Sequence, residues 1–206
     1  MTVAVVRKRF PDKKIQRTVF RILRDSALCS ISTVAPGNRA HINTAYFCYS
    51  SDLKFYFLSD PDSLHCTNIE RNPSMAMTVM DSSQTWGGRD RGIQLFGTCH
   101  RVGEQAAKEA ERQYGSRFPA YTAWLRRTDS AGRRGAKLLR SYAFYRFVPT
   151  RIKILDEAEF GGAAFVVAGV RRRRHPGGRT PAAIVTWLAT EELRPRGHAR
   201  GKAAAE

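Results

Sequence analysis

Residues 41–73, HINTAYFCYSSDLKFYFLSDPDSLHCTNIERNP, contain two apolar, strand-like runs joined by a short polar turn. The second run ends in the hydroxyl-rich turn SDPDS (residues 59–63), and a helix-like segment follows over residues 64–71. This order places free backbone N–H groups and the positive end of a helix dipole beside two serines and His65. Two interpretations are open: Ser63 caps the helix, as hydroxyl residues often do, or the turn binds an anion.

Short strand-like segments with frequent turn residues continue on both sides of this stretch. The predicted strands are residues 28–34, 40–49, 53–58, 74–81, 92–102, 143–155 (interrupted at 149–150) and a short 164–167. The first three are joined too tightly to be parallel. Helices are predicted over residues 12–25, 104–114 and 120–127, and a loop over 128–135. The pattern predicts a mainly β (α+β) fold of six to seven antiparallel strands in a barrel or sandwich, with flanking helices.

The chain has 206 residues and a net charge of +17, which suits one domain with a basic extension. We expect an N-terminal arm (residues 1–11), one domain (residues 12–168) and a basic, largely disordered tail (residues 169–206), with one short helix over 182–193. The charge favours phosphorylated or polyanionic partners. Nucleic acid is an unlikely partner, because no binding motif or interleaved aromatic residue accompanies the four-arginine run in the tail.

The four cysteines lie too far apart in sequence for a paired metal motif, and no metal site is predicted. Cys29, Cys48 and Cys99 fall inside apolar runs and are expected to be buried and reduced, as in a cytoplasmic protein. The N-terminal segment lacks a secretory apolar region of adequate length. No run approaches 18 apolar residues, so no membrane span is expected.

The ordered segments LCSISTV, HINTAYF, FYFLSDPDSLHCTNIERNP, SMAMTV and RGIQLFGTCHRV together resemble the FMN-binding split-barrel superfamily. Pyridoxamine 5'-phosphate oxidase is its best-known member. The resemblance covers residues 12–165. It implies a split β-barrel that forms a homodimer, with flavin sites at the subunit interface.

The resemblance also implies which residues hold the flavin. The isoalloxazine ring is expected along Asn43, Thr44, Ala45 and Tyr46; the ribityl-phosphate region at Leu58 and Ser59; the phosphate at Ser63 and His65; and a contact from the partner strand at Gln94. Two positions depart from the oxidase pattern. His65 stands where the oxidase carries a lysine, and Asn43 replaces the arginine that begins the ring-contacting strand, which argues against pyridoxamine phosphate oxidation.

The leading functional hypothesis is an FMN-dependent oxidoreductase that acts on a small organic substrate. The alternatives are a reductase that uses the deazaflavin F420 and a non-catalytic flavin- or haem-binding protein. The sequence shows no Ser–His–Asp arrangement and no paired catalytic carboxylates. Structural interpretations also stand: Tyr46 as core, Gln94 as a polar residue on a half-exposed strand, and His41 and His100 as structural or surface residues. Trp86 has two equal interpretations, beside the mouth of the active site or packed locally in its loop.

Overall fold

Alternating apolar residues produce the strands of this protein. The computed structural model describes residues 2–173 and 182–194. Ten strands lie in the described residues: β1 (Thr2–Val6), β2 (Leu28–Ala35), β3 (Arg39–Tyr46), β4 (Cys48–Tyr49), β5 (Phe55–Ser59), β6 (Ser74–Met80), β7 (Arg91–Arg101), β8 (Ala143–Asp156), β9 (Ala164–Arg173) and β10 (Ala182–Arg194).

All strand pairs are antiparallel. The main strand order is β1-β10-β9-β8-β7-β6-β2-β3. Strand β5 lies off this path and pairs with β4 and with the N-terminal part of β8. The sheet curls around one core but does not close, so the predicted split barrel is confirmed. The strand count of six to seven was too low, because β1 and β10 lie outside the predicted set and the strand predicted over residues 40–49 is divided into β3 and β4.

In the part of the chain that the structure describes, six α-helices flank the sheet: α1 (Asp12–Asp25), α2 (Leu64–Arg71), α3 (Glu104–Arg117), α4 (Pro119–Leu125), α5 (Ser130–Ser141) and α6 (Glu157–Phe160). Helix α1 has the predicted bounds and buries one apolar face, which includes Ile15, Val19 and Leu23, in the barrel core. Helix α5 replaces most of the loop predicted over residues 128–135.

A β-bulge at Gly97 bends the two longest central strands, as its position in the sequence suggested. The register of β7 on β8 shifts between Phe96 and Gly97, and Gly97 then faces Pro149. A Cβ at Gly97 would overlap the carbonyl of Val148. Strand β8 therefore continues through the interruption predicted at residues 149–150.

The prediction for the C-terminal region was wrong in two respects. Residues 182–193 form strand β10 and not a helix, and the largely disordered tail predicted over 169–206 is ordered strand at 169–173 and 182–194. The remainder of that tail, residues 174–181 and 195–206, lies outside the described residues. Strand β10 also pairs with β1, which lies within the predicted N-terminal arm.

The four cysteines are free thiols buried in the interior, as expected for small apolar residues. Burial raises the pKa of Cys29 and of Cys48 to about 12, so both thiols are protonated at neutral pH. No helix in residues 2–173 and 182–194 is long and apolar enough to cross a membrane.

Candidate functional site

Three predicted site residues meet where β5 ends and α2 begins. Ser59 Oγ lies 2.7 Å from His65 Nε2, and Ser63 Oγ lies 3.3 Å from the same nitrogen. Strand β5 alternates, so Ser59 and Phe57 face α2. The structure thus brings two hydroxyl groups and one imidazole to a single point at the start of a helix.

Helix α2 begins without a side-chain cap. Ser63 occupies the N-cap position, but its hydroxyl donates to the carbonyl oxygen of Asp60 at 2.7 Å and caps nothing. The Asp60 carboxylate accepts the backbone N–H of Asp62 and so belongs to the turn itself. The capping interpretation of Ser63 is therefore wrong, and the first-turn N–H groups of α2 have no intrahelical acceptor.

His65 is 7% exposed. Burial, and then the neighbouring His41, lower the pKa of His65 from its ordinary value. The ring of His41 lies parallel to that of His65, with centroids 6.4 Å apart and 4° between the planes. Phe57 lies at the same centroid distance.

His41 is a site residue that sequence reasoning missed. It was interpreted as structural or surface, yet it stands two residues before Asn43 and therefore on the same side of β3. The two-residue spacing between His41 and Asn43 was the feature of the sequence that could have identified His41. Its pairing with His65 could not be predicted, because the two rings come from segments separated by a strand and a turn.

The four consecutive residues predicted along a flavin ring project to opposite faces of β3. Asn43 and Ala45 are half-buried on the His41 side, whereas Thr44 and Tyr46 are exposed on the outer face. A ligand that lies along one face of this strand therefore contacts only two of the four side chains, either Asn43 and Ala45 or Thr44 and Tyr46. The backbone of β3 is reachable because β3 is the edge of the sheet.

Tyr46 and Leu58 line a separate, larger cavity. It measures about 660 Å³, opens to solvent and is bordered by the barrel rim and helices α3, α4 and α5. Gly135 of α5 packs directly against the Trp124 ring, where any Cβ would overlap it. The sequence prediction missed this cavity because its third wall, α5, was predicted to be a loop.

Gln94 lies apart from the serine–histidine cluster, on the outer face of the sheet. Cross-strand pairing aligns Thr44, Ser30, Thr78 and Gln94 in one lateral row over β3, β2, β6 and β7. Gln94 also lines a cavity of about 170 Å³ with Gln84. Two predicted site residues, Thr44 and Gln94, thus share a face and a row.

The same outer face carries exposed apolar side chains. Leu28, Ile42, Tyr46 and Met80 all project from it, and Ile42 is 70% exposed. Trp86, in the loop between β6 and β7, is 98% exposed and so makes almost no local contact. Exposed apolar surface of this kind is typical of a protein interface.

The candidate site consists of hydrogen-bonding groups and includes no metal-binding cluster among the described residues. Within residues 2–173 and 182–194, no group of three His, Cys, Asp or Glu side chains could hold a metal ion. The Ser63 hydroxyl donates to the Asp60 carbonyl oxygen, and Ser59 Oγ and His65 Nε2 are bonded to each other, so these groups would have to redirect their hydrogen bonds to hold an anion beside the positive end of the α2 dipole. Electron chemistry at such a site would have to come from a bound cofactor.

Comparison with solved structures supports the fold. A conserved hypothetical protein from Mycobacterium tuberculosis is 17% identical, with a TM-score of 0.55 over 82% of this chain and 94% of the other. A protein of the pyridoxinephosphate oxidase family from Clostridium acetobutylicum, related to general stress protein 26, is 12% identical, with a TM-score of 0.54 over 78% and 96%. A haem-binding protein from Mycobacterium smegmatis is 10% identical, with a TM-score of 0.57 over 79% and 59%.

None of the curated protein sequences matches this chain significantly. The family model for pyridoxamine 5'-phosphate oxidase matches residues 15–155, from the second turn of α1 to the end of β8. That span contains the serine–histidine cluster, the edge strand β3 and the row that ends at Gln94. The chain therefore belongs to the pyridoxamine 5'-phosphate oxidase family, as its sequence resemblance implied.

Proposed function

We propose that this protein is an FMN-binding flavoprotein, an oxidoreductase that acts on a small organic substrate. The observation that carries the proposal is the convergence of Ser59, Ser63 and His65 at the uncapped start of α2. Hydroxyl groups, an imidazole and first-turn N–H groups form a donor set that fits a phosphate group.

The residues present fit FMN in its other parts as well. The edge strand β3 offers accessible backbone for a ring, and Asn43 and Thr44 offer polar side chains on its two faces. Bound FMN would supply hydride or electron transfer. The chain would hold the phosphate at Ser63 and His65 and orient the ring along β3.

His65 limits the charge that the chain offers to the phosphate. Its pKa is lowered by burial and by His41, so it acts as a neutral hydrogen-bonding partner and not as a fixed cation. A phosphate dianion near the ring would favour the protonated imidazole. We therefore expect FMN binding to raise the pKa of His65.

The proposed assembly is a homodimer. The exposed apolar face around Ile42 and Tyr46 would be covered by a second copy. Gln94 of one copy would then reach a flavin held mainly by the other, which accounts for its separation from the serine–histidine cluster. We further propose a cytoplasmic location, where the four buried free thiols would stay reduced.

The test begins with the protein purified without added cofactor. Its visible spectrum is recorded, the protein is denatured, and any released chromophore is identified. Released FMN supports the proposal. A deazaflavin spectrum would change the cofactor to F420, and a haem spectrum would replace flavin altogether. Colourless protein that also fails to bind added FMN would overturn the proposal.

A matched pair of variants then tests the phosphate position. Ser63→Ala should weaken FMN binding by about 1–3 kcal/mol, because a charged ligand loses a donor. Thr67→Ala removes a hydroxyl from the same helix that lies outside the serine–histidine cluster, where it donates to the Leu64 carbonyl oxygen at 3.0 Å. Its FMN affinity should match the wild type in a fluorescence titration; equal affinities for all three proteins would contradict the placement.

A further inference from the structure

The cavity between the barrel rim and helices α3–α5 has the dimensions of a ligand site. Its volume of about 660 Å³ lies within the range of small-molecule pockets, roughly 300–1,000 Å³. Tyr46 and Leu58 form its barrel side, and both belong to the segments expected to hold the flavin. The cavity therefore opens beside the proposed cofactor.

Aromatic rings from α3, α4 and the sheet edge form most of the wall. The Tyr114 ring lies 4.8 Å from that of Phe118 and 5.1 Å from that of Tyr121, and Tyr46 stands edge-on to Phe118 at 5.5 Å. Trp124 completes the wall between α4 and α5. Flat rings fixed at these spacings favour a flat aromatic guest, by stacked and edge-to-face contacts.

The cavity lining carries no charge, although the chain has a net charge of +17. Every described residue that lines it is apolar, glycine or tyrosine. Burial, followed by the neighbouring Glu111, raises the pKa of Tyr121 to about 12, and burial also raises the pKa of Tyr114. These hydroxyls stay protonated at neutral pH, so an ionic group placed here would find no counter-charge.

Charged residues are instead concentrated in an adjoining cavity of about 350 Å³. Its charged lining residues are Arg101, Glu104, Lys108, Glu111 and Arg140. It shares Leu58, Tyr121, Leu139 and Tyr142 with the aromatic cavity. The two cavities are therefore chemically distinct neighbours. The separation of charge from the aromatic walls is a property of the folded chain and is not visible in its composition.

We propose that the aromatic cavity is the substrate site of this protein and that it takes an uncharged, planar aromatic molecule of a few fused rings. The assignment rests on the proposed flavin function, because Tyr46 and Leu58 connect the cavity to the cofactor segments. A phosphorylated substrate does not fit this lining.

The test uses two probes that differ in charge, 2-naphthol and naphthalene-2-sulfonate, in equilibrium dialysis against the full-length protein loaded with FMN. The naphthol should bind saturably and at least tenfold more tightly than the sulfonate. The overall positive charge of the protein would favour the anion, so this order can only reflect the cavity lining. Absent saturation, or a sulfonate that binds equally well, overturns the proposal.

Two alanines on α4 provide matched variants. Both are exposed residues of the same helix, but Ala120 lines the cavity and Ala123 does not. Ala120→Phe should weaken naphthol binding at least tenfold by filling the space, and Ala123→Phe should change it less than twofold. Equal effects of the two variants would overturn the proposal; thermal melts confirm that both are folded.

An FMN titration of the same proteins separates this proposal from the one on which it rests. Unchanged FMN affinity with the expected naphthol pattern supports both. FMN binding without naphthol binding refutes the cavity assignment alone, whereas absent FMN binding refutes the flavoprotein and this substrate site with it. Saturation by naphthol only in a dissociated variant, Ile42→Asp, would assign the cavity to a second copy and would also overturn the proposal.

Discussion

His65 links the candidate site to the stability of the fold. Its pKa is lowered by burial and by His41, so the folded protein resists protonation at this ring while the unfolded chain accepts a proton near pH 6.5. The unfolded state therefore binds more protons as the pH falls below about 6.5, and acidification destabilises the fold. This stabilising contribution is complete above the ordinary pKa and is lost as the pH falls through the folded pKa.

We predict that the melting temperature of the cofactor-free protein falls between pH 7 and pH 5, and that His65→Gln reduces this fall. The glutamine cannot acquire the proton that opposes folding. The control is His100→Gln, which alters an exposed histidine on β7 and should retain the wild-type pH dependence. The same pH dependence in the His65→Gln variant as in wild type would contradict the assignment.

Sequence reasoning located the residues of the phosphate cluster but not their contacts. Ser59, Ser63 and His65 were predictable because they flank one strand end and one helix start, which are local features. The hydroxyl of Ser63 was expected either to cap α2 or to contact an anion. It donates to the carbonyl oxygen of Asp60, because the turn places that oxygen within hydrogen-bond distance. His41 was missed because its partner lies on another element.

At the scale of elements, strand β10 shows how tertiary pairing overrides local preference. Its sequence AAIVTWLATEELR is rich in alanine, leucine and glutamate, which favour helix. In the fold it lies between β9 and β1, and its backbone groups bond to both neighbours. Ala183 and Val185 join the main core. A distant strand supplies the partners, so a local pattern could not predict the outcome.

We predict that Val185→Ala lowers the free energy of unfolding by about 2 kcal/mol, because it removes two buried methyl groups and leaves a cavity. Leu188→Ala, three residues along the same strand, removes a largely exposed side chain and should cost less than about 0.5 kcal/mol. Urea denaturation measures both. If β10 were a loosely attached tail, the two variants would be equally harmless.

The whole molecule presents one outer sheet face that is more apolar than a solvated surface requires. Ile42 is 70% exposed on this face, beside Tyr46 and Leu28. We predict that Ile42→Asp converts a dimer to a monomer in light scattering and weakens FMN binding, since Gln94 would then lose access to the flavin of the other copy. A buried carboxylate without a counter-ion opposes association.

The control is Val5→Asp, which introduces the same charge at a residue that is 74% exposed on β1, at the opposite edge of the sheet. It should leave the dimer and the FMN affinity intact. A wild-type monomer, or dissociation by both variants, would contradict the proposed interface.

For the whole molecule, the sequence predicted the type of architecture correctly but not how far the sheet extends. The antiparallel split barrel followed from the tight turns of residues 28–58, which lie inside the region that matches the family, and from the resemblance. The strands β1, β9 and β10 complete one side of the sheet and lie outside that region. The aromatic cavity was unpredictable for a related reason: it exists only between helices whose packing no local pattern encodes.

Because β1 pairs with β10, strand β1 has no partner until the ribosome has synthesised β10. Thr2 faces Arg194, so the first described strand to leave the exit tunnel pairs with the last. At about 5–20 residues per second, β1 would wait on the order of 10–40 s for its partner. Its exposed valines, Val3 and Val5, stay available to other chains during that interval. Slower translation should therefore increase aggregation, unless a chaperone shields the first strand until synthesis ends.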